Sequence, residues 1–185
     1  MTLDGQKKST RKAAFAARKQ VFETQLAGQS ALLSEFLAGH RSVPTAGYMP
    51  INTEISPLAA MAEQSAYGEV SVPVIQRAGL PLKFALWEPD IAMVDGDFGA
   101  KIPQDPTFTT PQIVILPLVA WDASGNRLGY GGGFYDRSIE GLKTKGAILA
   151  VGFAFDEQEV DAVPTEATDQ PLDMMITQSR VLTFG

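Results

Sequence analysis

The sequence predicts an α/β protein in which helices flank a mostly parallel sheet. Short apolar runs that suit buried strands recur along the chain, and segments of helical character separate several of them. The glycine-rich stretch 129–133 lies between the apolar run 113–119 and a helix start, a junction typical of such sheets. The 185 residues suit one domain, 1–185, that buries roughly 70% of the surface of the unfolded chain.

The N-terminal part predicts a long amphipathic helix. Apolar residues recur at helical spacing from Ser9 to about Leu37, and Ser9 or Thr10 can cap its start. The helix is expected to bend near Gly28. The single histidine, His40, follows its end, where a loop or C-cap role fits better than catalysis.

The rest of the chain supplies the strands. They are predicted at 43–49, 69–75, 82–87, 113–119, 147–155, 174–177 and 181–184. Ser56 and Pro57 predict a helix start, and another helix follows the glycine-rich stretch and ends near Gly146. The segment 88–110 is predicted to be a long loop with little regular structure, and 156–168 a short helix plus loop.

Composition and charge exclude several classes of protein. The absence of cysteine rules out disulfides and thiolate chemistry and agrees with a reducing, cytoplasmic compartment. The longest apolar run, 113–121, is far shorter than the roughly 20 residues of a membrane-spanning helix. Residues 1–19 carry six cationic side chains and one acidic side chain, a local charge of +5. Because the whole chain has a net charge of −6, the remaining residues sum to −11. An acidic body argues against a nucleic-acid surface, and the basic segment is either a solvated helix face or a local anion site.

The segment 127–137 carries the strongest functional signal. Four of the five residues 129–133 are glycines, so backbone N–H groups can approach an anion closely. Arg127 precedes these glycines, and Asp136 and Arg137 follow them. A tight connection would explain one or two glycines, but not four beside charged and aromatic residues. The pattern therefore predicts a phosphate site.

Other signatures fail on inspection. A dinucleotide fingerprint would need glycine where Phe134 stands, and no G-K-[ST] of a phosphate-binding loop is present. The kinase-like triplet 97–99 lacks a catalytic H-R-D partner, and one histidine gives a Ser-His-Asp arrangement little support. Chemistry here must come from charge, a metal ion and a cosubstrate.

The segment Asn126–Arg137 resembles the signature of the 5-formyltetrahydrofolate cyclo-ligase family, also called methenyltetrahydrofolate synthetase. The resemblance extends over nearly the whole chain, through Lys7, Arg11, Tyr48-x-Pro50, Glu54-Ile55, Pro164-x-Glu166-x-x-Asp169, Leu172-Asp173 and Ile176-Thr177. It implies a fold like those of ribose-5-phosphate isomerase and the CoA-transferases. It also implies that ATP and Mg²⁺ drive closure of 5-formyltetrahydrofolate to 5,10-methenyltetrahydrofolate through an iminium phosphate. We expect a cytoplasmic monomer with small-molecule partners, and neither nucleic acid nor membrane among them.

The resemblance implies a role for each matching residue. ATP would be bound by Lys7, Arg11, Arg127, Leu128, Gly129, Tyr130, Gly131, Gly132, Gly133, Phe134 and Tyr135. Folate would contact Met49, Glu54, Tyr130, Gly131, Gly132, Gly133 and Phe134. The catalytic residues would be Arg127, Tyr130 and Tyr135. Asp136 and Asp169 would anchor Mg²⁺, directly or through water.

Each assignment has a structural alternative. Lys7 and Arg11 could form a solvated helix end, and Glu54 could interact with the dipole of the helix that follows it. Asp169 could cap a turn, and Tyr135 could belong to the core.

The family pattern is also incomplete. Phe134 stands where the family usually has the first of two tyrosines, and Thr168 where it often has histidine. A non-catalytic folate- or nucleotide-binding regulatory protein on the same scaffold remains an alternative, and RNA binding by the basic segment is a weaker one.

Overall fold

The structure, a computed structural model, describes residues 2–185. Its α-helices are α1 (Leu3–Thr24), α2 (Ala31–Ala38), α3 (Leu58–Ser65) and α4 (Phe134–Lys143). Its strands are β1 (Thr45–Ala46), β2 (Val70–Val74), β3 (Lys83–Leu86), β4 (Met93–Asp95), β5 (Lys101–Pro103), β6 (Phe108–Thr109), β7 (Ile113–Leu116), β8 (Ala120–Trp121), β9 (Arg127–Leu128), β10 (Leu149–Phe153), β11 (Met174–Ile176) and β12 (Val181–Thr183). Short 3₁₀ helices span Asp97–Gly99 and Asp156–Gln158.

Eight of these strands form one sheet in the order β12-β11-β10-β7-β1-β2-β3-β6. The central run from β11 to β2 is parallel, and antiparallel pairs close both edges. At the middle of the sheet, Thr45 pairs with Val70 on one side and with Ile113 on the other. The predicted α/β class with a mostly parallel sheet is confirmed.

Side chains of the buried strand β7 alternate between two cores, as the two-residue period of a strand requires. Ile113 and Ile115 pack with α2 and α3, whereas Val114 and Leu116 pack with α4 on the opposite face. The sheet is therefore covered on both faces, which leaves the ends of its strands as the place for a site.

The single N-terminal helix predicted from Ser9 is wrong in its bounds and continuity. Helix α1 begins at Leu3, because Thr2 caps it by accepting a hydrogen bond from the N–H of Gly5 at 3.2 Å. It ends at Thr24, and the chain turns through Gly28, whose φ of 84° is incompatible with a continuous helix, before α2 begins.

The predicted long loop 88–110 is also wrong in part. Strands β4 and β5 form a hairpin around the 3₁₀ turn 97–99, and β6 joins the edge of the main sheet. A second hairpin, β8–β9, stands between β7 and the glycine-rich stretch. Strands of two or three residues are too short to show alternation, so the sequence pattern does not reveal them.

The remaining predicted strands are confirmed with shorter bounds, most of all 43–49, of which two residues form β1. Helix α3 begins at Leu58, one residue beyond the predicted start, and Ser56 Oγ accepts from its N–H at 3.4 Å. His40 has the expected local role, because its Nδ1 contacts the carbonyl of Phe36 at 2.9 Å. No helix within residues 2–185 combines the length and apolar character that crossing a membrane requires.

Candidate active site

A cavity of about 810 Å³ opens at the carboxyl ends of the central parallel strands. Its wall includes the segments that follow β1 and β7, the glycine-rich stretch, the first turns of α1 and the tail around Asp169. All the residues to which the family resemblance gives a role line it, namely Lys7, Arg11, Met49, Glu54, Arg127, Leu128, Gly129, Tyr130, Gly131, Gly132, Gly133, Phe134, Tyr135, Asp136 and Asp169. The structure thus brings these residues together, while their individual roles stay predictions.

The glycine loop, residues 129–133, leads from β9 directly into α4. Gly131 and Gly133 have φ values of 104° and 64°, which glycine adopts readily and other residues rarely do. Gly133 is also the N-cap of α4, so the helix begins at the cavity wall. The first N–H groups of a helix have no partner within it and carry partial positive charge. This end of the cavity therefore suits an anion.

Two arginines hold the carbonyl side of the loop. Arg11 donates from Nε to the carbonyl of Gly129 at 2.9 Å, and Arg137 donates from Nη2 to that of Gly132 at 2.7 Å. A Cβ added at Gly131 would stand 3.3 Å from Nη2 of Arg11, so the arginine packs directly on the loop. These contacts fix the loop and bring two cations to its edge.

Lys7 bridges two carboxylates of the tail. Its Nζ lies 2.7 Å from Glu166 Oε1 and 2.9 Å from Asp169 Oδ2. Burial alone would lower the pKa of Lys7, but the hydrogen bonds and charges of the two carboxylates raise it. Lys7 is therefore a fixed, charged group at the cavity and not part of a solvated helix end.

Arg127 and Asp136 form a largely buried ion pair beneath the glycine loop. Nη2 of Arg127 lies 2.6 Å from Oδ1 of Asp136, which also accepts from the N–H of Gln170 at 2.9 Å. Within residues 2–185, the buried Nε–H of Arg127 donates to no partner. A buried donor without a partner is costly, so this N–H is suited to a ligand oxygen.

At the other end of the cavity, Glu54 and Tyr130 are linked. The Tyr130 hydroxyl donates to Glu54 Oε1 at 2.7 Å, and the N–H of Ile51 donates to Oε2 at 2.9 Å. Burial raises the pKa of Glu54, while these hydrogen bonds and the charge of Arg18 lower it, leaving it above its ordinary value. Glu54 is thus held by two hydrogen-bond donors and does not merely face a helix dipole.

The tyrosines at the cavity remain protonated at neutral pH. Burial raises the pKa of both Tyr130 and Tyr135, and the nearby charge of Glu54 raises it further. Tyr135 also packs against the α4 core, so it combines the core role and the cavity position. Both hydroxyls are consequently hydrogen-bond donors and not bases.

The donor set fits a magnesium ion that is bound chiefly by phosphates. Asp136 and Asp169 line the cavity, and Glu166 lies beside Asp169 through their shared contact with Lys7. No cluster of three or more potential ligands is formed by residues 2–185. Mg²⁺ does not need one, because it commonly takes one or two carboxylates together with substrate phosphates and water.

Two contributors to the site were missed in the sequence. Arg18 stands seven residues, or two helical turns, after Arg11, so its spacing placed it on the same helix face. Phe98 lines the cavity from the β4–β5 hairpin, with its ring centroid 6.4 Å from that of Phe134. No sequence signal indicated Phe98, because the hairpin strands are too short to show a pattern.

Comparison with known proteins decides the family. The model of the 5-formyltetrahydrofolate cyclo-ligase family matches residues 4–178. The chain belongs to this family. A cyclo-ligase of Mycolicibacterium smegmatis is 28% identical over 94% of each chain. One from Haemophilus influenzae is 41% identical over 49% of this chain and 51% of the relative, so that match spans about half its length.

Solved structures show the same fold as this cyclo-ligase family member. An NMR structure of 5,10-methenyltetrahydrofolate synthetase from Aquifex aeolicus covers 92% of each chain with a TM-score of 0.66 and 24% identity. The Mycoplasma pneumoniae synthetase covers 90% of this chain and 99% of its own, with a TM-score of 0.63 and 21% identity. The resemblance predicted from the sequence is confirmed for family and fold.

Proposed function

We propose that this protein uses ATP and Mg²⁺ to close 5-formyltetrahydrofolate into 5,10-methenyltetrahydrofolate, releasing ADP and phosphate. One observation carries the proposal: a single cavity joins a glycine-rich end, with Lys7, Arg11 and Arg127 on its wall, to an end built from Glu54 and tyrosines. Helix α1 reaches both ends, because Lys7 and Arg11 line the first and Arg18 donates to Tyr130 at the second. With a volume of about 810 Å³, the cavity has room for two substrates that meet at Tyr130.

The glycine-rich end supports binding of the ATP phosphates. Lys7, Arg11 and Arg127 contribute N–H donors, although Lys7 and Arg127 are also paired with carboxylates, and the start of α4 contributes backbone N–H groups. Such positioned donors can neutralise a phosphoryl group without rearranging when its charge shifts.

Asp136 and Asp169 would hold Mg²⁺, which would neutralise charge between the phosphate groups. Both carboxylates are engaged by cations in the structure, Asp136 by Arg127 and Asp169 by Lys7. These ion pairs orient both carboxylates at the wall of the nucleotide end.

The other end supports binding of the folate. Glu54 can accept N–H donors of the pterin ring, because an ionised carboxylate has about four acceptor positions and its protein donors use two. Met49 lies at the same wall and offers an apolar, adaptable contact.

The chemistry needs the formyl oxygen to become a leaving group. Transfer of the γ-phosphoryl group to that oxygen gives an iminium phosphate, nitrogen 10 attacks its carbon and loses its proton, and phosphate departs with the oxygen. In this scheme Arg127 neutralises the transferred group through its Nε–H, and Tyr130 and Tyr135 donate hydrogen bonds. Alignment of the two substrates then supplies much of the acceleration.

The test is formation of the methenyl product from 5-formyltetrahydrofolate by the purified protein, followed by absorbance. We expect turnover that needs both ATP and Mg²⁺, with one phosphate released per product. Folded protein that binds both ligands without turnover would contradict the proposal and select the non-catalytic regulatory alternative.

A further inference from the structure

Arg18 is a buried arginine in the basic N-terminal helix. It is 1% exposed, whereas the side chain of the next residue, Lys19, is 69% exposed. Its guanidinium lies 5.0 Å from the ring centroid of Phe15 and 5.7 Å from that of Tyr130. Burying a charge is costly unless hydrogen bonds compensate, so the partners of this group need a reason.

Its hydrogen bonds lead to Glu54. Arg18 donates from Nε to Thr53 Oγ1 at 2.9 Å and from Nη1 to the Tyr130 hydroxyl oxygen at 2.8 Å. Because that oxygen accepts from a cation, the phenolic proton is left to point at Glu54 Oε1, 2.7 Å away. A donor that is itself hydrogen-bonded to a cation is polarised and donates more strongly.

Among the described residues, Arg18 reaches no carboxylate within ion-pair distance and does not line the cavity. Its charge therefore acts through Tyr130, which lies between it and the ligand space. Thr53, its second partner, directly precedes Glu54. Arg18 thus restrains the residue before Glu54 and also the Tyr130 hydroxyl that donates to the Glu54 carboxylate.

We infer that Arg18 is a positioning residue for the folate site: through Tyr130 and Thr53 it keeps Glu54 oriented and ionised to accept N–H donors of the pterin ring. The inference rests on the proposed function, because the pterin is the ligand it names. It deepens that function, because a residue that does not contact the ligand would then control the affinity for folate.

In the described part of the chain, residues 2–185, four titratable or charged groups face Glu54. They are Arg18 on α1, Tyr48 after β1, Tyr130 in the glycine loop and Tyr135 on α4. Burial raises the pKa of each tyrosine, so all three are neutral near pH 7. Loss of the arginine charge would consequently raise the pKa of Glu54 further, and the carboxylate would become protonated at a higher pH.

The experiment compares Arg18→Met, Arg18→Lys and the control Lys19→Met in the full chain. Lys19→Met removes the neighbouring charge, which is exposed and only 3.8 Å from Glu23. Dissociation constants for 5-formyltetrahydrofolate and for ATP are measured from pH 5 to pH 9, and the pKa of the Glu54 carboxyl is followed by NMR in the ligand-free protein. Thermal unfolding establishes that each variant is folded.

For Arg18→Met we expect folate affinity at pH 7 to fall roughly 10- to 100-fold, the loss expected for one charge-assisted hydrogen bond. ATP affinity should change less than about twofold. The acid limb of folate binding, which is the fall of folate affinity at low pH, should move to higher pH together with the Glu54 pKa. Arg18→Lys should restore the acid limb in part, and Lys19→Met should match the parent protein.

The inference is overturned if folded Arg18→Met keeps the parent's folate affinity and acid limb, or if it weakens ATP and folate equally. Should Arg18→Met not fold, Arg18→Lys decides, since it keeps the charge but cannot reach both Thr53 and Tyr130 in the same way. If the parent protein itself binds no folate, the proposed function fails, and an unchanged Glu54 pKa in the variants would then separately refute the coupling to Arg18.

Discussion

Replacing Arg127 separates its structural role from its proposed catalytic one. Arg127 and Asp136 pair at 2.6 Å with side chains that are 5% and 23% exposed. Removing one partner of a fully buried pair costs about 3 to 5 kcal/mol. Asp136 keeps some contact with water and its hydrogen bond from Gln170, so we expect Arg127→Met to lower the free energy of unfolding by about 2 kcal/mol.

Arg127→Lys should differ from Arg127→Met in its free energy of unfolding but not in its kcat/KM. A lysine retains the counter-charge for Asp136, so we expect a loss below about 1 kcal/mol. Both variants lose the buried Nε–H that has no protein partner among residues 2–185. We therefore expect kcat/KM for ATP to fall roughly 10- to 100-fold in each, which corresponds to one charge-assisted hydrogen bond of about 1.5 to 3 kcal/mol.

Urea unfolding and the methenyl absorbance assay measure the two effects independently. Arg180→Lys is the matched control, because Arg180 also bridges carboxylates, those of Asp156 and Glu159, but does not line the cavity. Full kcat/KM in Arg127→Lys would refute the reasoning and reduce Arg127 to a counter-charge for Asp136.

Three further predictions concern the cavity wall. Gly131→Ala should raise the KM for ATP at least severalfold, because the added Cβ would press on Arg11. The control Gly28→Ala has a similar positive φ but open space around the added Cβ, so it should change only the free energy of unfolding, by about 1 kcal/mol. Phe98→Ala should weaken substrate binding with little effect on urea unfolding, because the residue is 75% exposed yet lines the cavity. Unchanged KM values for both substrates would contradict this. Burial raises the pKa of Glu54 above its ordinary value of 4.5, so the native state holds this proton more tightly than the unfolded state does. The free energy of unfolding therefore falls as the pH rises from 4.5 through the native pKa. Glu54→Gln should remove that fall in urea unfolding between pH 4 and pH 7 while abolishing tight folate binding; a variant whose stability falls as much as the parent's would refute the assignment.

The parts of the site that are local in sequence could be predicted from it. The glycine loop, its flanking charges and the start of α4 lie within one short segment, and their spacing carries the geometry directly. Long apolar runs such as 113–119 likewise predicted buried strands, and the four residues of β7 within that run are all buried. Lys7 and Asp169 required the family resemblance, because 162 residues separate the two partners.

Other features depend on partners that the sequence pattern does not display. The start of α1 is set by one hydroxyl, that of Thr2, and the hairpins β4–β5 and β8–β9 are stabilised by backbone pairing over two or three residues. Arg18 is a partial case: its spacing from Arg11 indicates the helix face, but a charge in an amphipathic helix is expected to face water. Its burial follows from acceptors on two distant segments, at Thr53 and Tyr130.

Helix α1 explains why a basic segment precedes an acidic body. Lys7, Arg11 and Arg18 fall within about 40° of one another around the helix axis, and each is paired with the rest of the chain. Lys8, Lys12 and Lys19 lie elsewhere on the helix and are exposed. The solvated face and the anion site are therefore two sides of one helix. Because a single rigid element carries cations to the glycine loop and to Glu54, a displacement of α1 would disturb both halves of the cavity together, whereas substitutions on its outer face would disturb neither.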